Sequence, residues 1–131
     1  EPFPRYMEPG TPAISSIIGL GEAARFIHEI GTEQIRSHLT TLTSQLIAGL
    51  DDRITLLGPE HPTAGPVSIR IDDVPAADAG YVFDKEGIAV RTGQHCRSTD
   101  EIENSIRISP HIYNTKAEIE TTLSVIRDLA P

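Results

Sequence analysis

Cysteine is nearly absent: Cys96 is the one thiol in 131 residues. A lone thiol excludes an internal disulfide and fits a reducing compartment such as the cytoplasm. Methionine is equally scarce. The one present is Met7, so Glu1-Pro2-Phe3-Pro4 does not read as a translation start, and the chain is expected to be a fragment, a processed product or an isolated domain. No apolar run approaches the roughly 20 residues that cross a bilayer, and no signal-peptide pattern opens the sequence. Positive charge is in deficit: 11 Lys and Arg against 19 Asp and Glu leave a net charge of −8, spread along the chain. Such a surface argues against nucleic acid and anionic membrane as partners. No Gly-rich phosphate loop or serine triad stands out. His28, His38, His61 and His111 are scattered without metal-like spacing, and they read as surface or structural residues with no metal site.

What is present suffices for one ordinary domain with a core, since 38% of residues are hydrophobic. Pro2, Pro4, Pro9 and Pro12 make residues 1–13 an extended lead-in. From Ile14 the apolar residues Ile14, Ile17, Ile18, Ala24 and Ile27 take helical spacing, with Gly31 as a stop. Thr32 could cap a second helix whose stripe Ile35, Leu39, Leu42, Leu46 and Leu50 is the clearest periodic signal in the chain. It reads as core packing. Ile54–Leu57 is a short strand, and Val67, Ile69 and Ile71 alternate with Ser68 and Arg70 as a half-buried one. Between Pro75 and Gly87 a third helix would bury Ala76, Ala79, Val82 and Phe83. Ile88–Val90 is expected as a third strand and the residues around Ile106 and Ile108 as a fourth. Residues 92–104 read as a polar surface loop. Thr115-Lys116-Ala117-Glu118 is a capping box opening a last helix with Ile119, Leu123, Ile126 and Leu129 inward. The order is ααββαββα. It predicts an α+β fold: a small, mostly antiparallel sheet with helices packed on one face, preceded by a long helical segment. A boundary, if there is one, falls near Asp51–Arg53, dividing residues 1–52 from 53–131.

The residues that can carry chemistry gather in the C-terminal half. Arg91-Thr92-Gly93-Gln94-His95-Cys96-Arg97 leaves a strand and enters a loop, a place where a rigid scaffold presents reactive groups. Cations beside Cys96 favour its thiolate, the nucleophilic form; an idle thiol is the alternative. His95 is a proton carrier or a hydrogen-bond partner. Arg107 alternates with Ile106 and Ile108, so its side chain points away from the apolar face, where it could pair with a carboxylate or simply be solvated.

Three blocks then resemble the C-terminal part of the class V, fold-type I pyridoxal-phosphate enzymes, nearest to the group II cysteine desulfurases and selenocysteine lyases. They are Arg5-Tyr6-Met7-Glu8-Pro9-Gly10-Thr11-Pro12 with Ile17-Ile18-Gly19-Leu20-Gly21, Gly87-Ile88-Ala89-Val90-Arg91-Thr92-Gly93-Gln94-His95-Cys96, and Ile106-Arg107-Ile108-Ser109 with Tyr113-Asn114-Thr115. The resemblance implies that Cys96 attacks the sulfur of a cofactor-bound cysteine, taking a persulfide while alanine leaves. It implies that Arg107 holds the substrate carboxylate, with Arg91 and His95 nearby as further substrate-binding residues. Gly10 and Thr11 would reach the pyridoxal 5′-phosphate phosphate of the partner subunit in a homodimer, and a sulfur-acceptor protein is a possible partner. Tyr113-Asn114-Thr115 would be a structural turn and cap. Residues 1–52 would link to a large domain. Lys85 and Lys116, the only lysines, match no Schiff-base motif, so the chain alone is expected to be inactive. Two other readings stay open: a class V aminotransferase, epimerase or carbon–sulfur lyase with an incidental Cys96, and a noncatalytic dimerisation or docking module.

Overall fold

The computed structural model describes residues 10–61, 64–93 and 104–130. The chain divides into two compact units, with the break between Gln34 and Ile35. The first holds α1 (Ile14–Ile30), in which no residue is buried. α1 ends at Gly31, whose N–H donates to the Ile27 carbonyl at 2.9 Å and whose φ of +90° lies in the left-handed region. That conformation disfavours any residue with a Cβ, and a Cβ there would also meet the Gln34 side-chain oxygen at 2.2 Å. α2 (Thr32–Ala48) follows at once. Its predicted stripe is the buried one: Leu42 and Leu46 are fully enclosed, and Ile35, Leu39 and Leu50 are half-buried.

The second unit contains the sheet. β1 (Ile54–Leu56), β2 (Val67–Ile71), β3 (Arg91–Thr92) and β4 (Ile106–Ile108) lie in the order β1-β2-β4-β3, antiparallel throughout. Alternation decides which face is covered. Val67, Ile69, Ile71, Ile106 and Ile108 are buried, while Ser68, Arg70 and Arg107 between them are not. The apolar face joins Leu42 and Leu46 of α2, Ala76, Ala79 and Phe83 of α3 (Ala76–Lys85), and Ile119, Leu123 and Ile126 of α4 (Lys116–Leu129) in one core. This is the expected α+β architecture.

One strand is displaced from its expected place. Ile88–Val90 forms no ladder: the Ile88 N–H donates to the Phe83 carbonyl at 2.8 Å and so completes the end of α3. Pairing begins only at Arg91, opposite Arg107. A run of three apolar residues cannot by itself say whether its amides serve the helix behind or the strand beside. The capping box is present in both halves, with Glu118 N donating to Thr115 Oγ1 at 3.3 Å and Thr115 N donating to Glu118 Oε2 at 2.7 Å. Among the described residues no helix is long and apolar enough to cross a membrane.

Candidate functional site

Register places the two candidate arginines of the sheet side by side. Arg91 on β3 is the direct partner of Arg107 on β4. Directly opposed residues of an antiparallel pair share a face, so both belong to the side away from the core. Arg107 is half-buried and Arg91 exposed. The Arg107 Nε has no accessible surface and no hydrogen-bond partner, and among the described residues neither guanidinium is paired with a carboxylate. Two adjacent like charges repel. A guanidinium has donors and no acceptor, so neither can satisfy the other. Among the described residues no anion stands beside the two arginines, and a carboxylate or phosphate would supply both the charge and the acceptors.

The segment that follows β3 leaves from a fixed base. Gly93 N donates to the Ser105 carbonyl at 3.0 Å, and the buried Ser105 hydroxyl donates back to the Gly93 carbonyl at 2.9 Å. Beside it the Asn104 amide accepts from Ala76 N, the first N–H of α3, and donates to the Val74 carbonyl at 3.2 Å. Pro75, the N-cap of α3, has no side-chain oxygen to offer, and Asn104 takes over that work from 28 residues away. Sequence reasoning missed Asn104 and Ser105, placing the first in a surface loop. Nothing local marks either, because their partners are remote in the chain. Cys96 and His95 lie outside the described residues.

Gly10 and Thr11 stand in the first unit, both exposed, just before α1. The N-cap of that helix is Ala13, without a side-chain cap bond; the Ile14 N–H donates to the Pro12 carbonyl at 2.9 Å, and the next N–H groups of the first turn have no cap to accept from them. Turn and hydroxyl fit the phosphate of pyridoxal 5′-phosphate. The aldehyde end of that cofactor needs an amine, and here the chain does not fit. Lys85 is exposed on α3 with its Nζ 5.1 Å from the centre of the Tyr81 ring, and Lys116 is exposed at the start of α4. Neither is on the strands that carry the arginines. A pocket of about 290 Å³ opens past the end of the β3–β4 ladder, lined by Ile88, Ala89, Ser109, Pro110, Tyr113 and Asn114 among others. Of the described candidate residues, Gly10, Thr11, Arg91 and Arg107, none lines it.

The Tyr113-Asn114-Thr115 turn is structural, as expected. Asn114 Oδ1 accepts from His111 N at 2.8 Å, and the Asn114 carbonyl lies 3.0 Å from His38 Nε2, tying α2 to the start of α4. The Glu118 carboxyl is held below the ordinary glutamate range, first by the backbone N–H of Thr115 and then by its hydroxyl.

A small antiparallel sheet thus carries helices on one face and two adjacent arginines on the other. The chain belongs to the aminotransferase class-V family, whose model matches residues 1–122. It is 34% identical to the probable cysteine desulfurase 2 of Mycobacterium leprae over 98% of this chain and 33% of that protein. It is 37% identical to a probable cysteine desulfurase of Halalkalibacterium halodurans over 90% of this chain and 30% of that one. The apo structure of a cysteine desulfurase from Thermococcus onnurineus superposes with a TM-score of 0.87 at 31% identity, covering 97% of this chain and 34% of the other. The chain thus spans about a third of the length of these relatives.

Proposed function

We propose that this chain forms the C-terminal part of a pyridoxal-phosphate-dependent, cysteine desulfurase-like enzyme acting on an amino-acid substrate, L-cysteine. The observation that carries this reading is the in-register pairing of Arg91 and Arg107 on the open sheet face of a chain belonging to the class V family. Arg107 holds the substrate carboxylate through its fork of donors, and Arg91 adds a second positive charge beside it. When bound, the cofactor supplies the electron sink that lets the carbon–sulfur bond break. Gly10 and Thr11 hold its phosphate, in the partner subunit of a homodimer. Its anchoring lysine must come from polypeptide other than these 131 residues, so the chain alone is inactive.

Cys96 is the sulfur acceptor within the enzyme. It lies three positions beyond Gly93, a reach of about 10 Å, so the Gly93–Ser105 clasp sets where its segment starts. The thiolate of Cys96 attacks the substrate sulfur. The new S–S bond leaves a persulfide on the protein as the carbon–sulfur bond breaks, and alanine departs. His95 would exchange the thiol proton, and an acceptor protein would take the sulfur onward. The test is Cys96→Ala in the complete protein that carries these residues. Sulfide and alanine production from L-cysteine is expected to fall at least 100-fold, and mass spectrometry should find the extra sulfur on Cys96 of the unsubstituted enzyme. Unchanged turnover would remove Cys96 from the chemistry and favour another class V reaction.

A further inference from the structure

The row that pairs Arg91 with Arg107 has a third member. Ser68 on β2 is the direct partner of Arg107 from the other side, so Ser68, Arg107 and Arg91 lie abreast on three adjacent strands, β2, β4 and β3. All three belong to the face opposite the core. Ser68 sits half-buried between the buried Val67 and Ile69, and Arg107 between the buried Ile106 and Ile108. Among the described residues the Ser68 hydroxyl makes no hydrogen bond, although its neighbour Arg107 has a buried, unpartnered Nε. The buried idle donor and the adjacent second cation are unfavourable, and the Ser68 hydroxyl beside them, accessible to solvent, is free to donate. One ligand answers all three: a carboxylate, which accepts from several donors at once.

We propose that Ser68 is a further substrate-binding residue, its hydroxyl donating to a carboxylate oxygen of the α-amino acid that Arg107 holds. The proposal rests on the reading of Arg107 given above. A carboxylate has about four lone-pair sites. The Arg107 fork fills two of them, and Arg91 and Ser68, on opposite flanks of Arg107, are placed for the others. The short serine side chain leaves the space above its strand to the ligand. As a neutral donor it adds a hydrogen bond without a third positive charge.

The experiment uses the complete, cofactor-loaded protein and two readouts: KM for L-cysteine, and the Kd of the product L-alanine by calorimetry. Ser68→Ala is expected to raise both by about 10-fold, the scale of one hydrogen bond to a charged group. Ser68→Cys, close in size but a poor donor, should show the same loss, and Ser68→Thr, which keeps the hydroxyl, should bind nearly as the parent does. An unaltered Kd in Ser68→Ala or Ser68→Cys overturns the proposal. Arg107→Ala separates the two claims. If it weakens L-alanine binding while the Ser68 variants do not, only the serine is dismissed. If Arg107→Ala also binds L-alanine normally, the carboxylate reading of the whole row is lost.

Discussion

Glu118 shows what one carboxyl can do at a helix end. Its side chain accepts from Thr115 N at 2.7 Å and from Thr115 Oγ1 at 3.1 Å. Those bonds favour the ionised form, so the folded pKa is depressed below that of the unfolded chain. A depressed carboxyl contributes stability that is present above the unfolded value and is lost as pH falls through the folded one. Between about pH 6 and about pH 3 the urea midpoint should therefore drop, and Glu118→Gln should flatten that part of the profile. Identical slopes in the two proteins would show that the box contributes nothing to the acid limb. This device is legible in sequence because its two partners are three residues apart. Asn104 is the contrary case: it caps α3 at Ala76 from 28 residues away, and no spacing rule reaches that far.

At the scale of elements, α2 and α4 meet where α2 has just ended. A Cβ on Gly49 would lie 2.4 and 2.9 Å from the two methyl carbons of Leu123 and 3.2 Å from its Cγ. Leu123 is 2% exposed, so turning one methyl aside brings the other in. Gly49→Ala is expected to cost about 1–3 kcal/mol by overpacking, read as a lower denaturation midpoint. In a Leu123→Ala background the same change should cost little. Equal costs in the two backgrounds would place the strain elsewhere. The helical stripes were readable because a 3.6-residue period needs only neighbours in sequence. The start of β3 was not, because the choice between Ile88–Val90 and Arg91–Thr92 depends on the Phe83 carbonyl and on Arg107, which lie outside the segment itself.

At the scale of the molecule, α1 buries none of its own residues. Ile17, Ile18 and Leu20 are 59%, 63% and 72% exposed, and Phe26 is exposed as well. A helix that exposes several large apolar side chains ordinarily has them covered by a partner surface. The proposal that residues 1–52 link to a large domain therefore predicts an outcome. The 131-residue chain alone should bind 8-anilinonaphthalene-1-sulfonate strongly, and the double substitution Ile17→Glu/Leu20→Glu should cut that fluorescence several-fold. A complete protein of the relatives' length should bind the dye weakly. Strong dye binding by both would mean that nothing covers α1.

The sequence by itself determined the elements with a period or a local signature: the stripe of α2, the alternation that turns Arg107 away from the core, and the box that opens α4. Each depends on contacts within a few residues, where covalent spacing already fixes the geometry. Only the tertiary structure decided that Ser68, Arg107 and Arg91 form one row and that Asn104 and Ser105 hold the ends of the segment between β3 and β4. Strand order and register bring together side chains from distant parts of the chain, and that choice is made by the packing of the whole sheet against its helices.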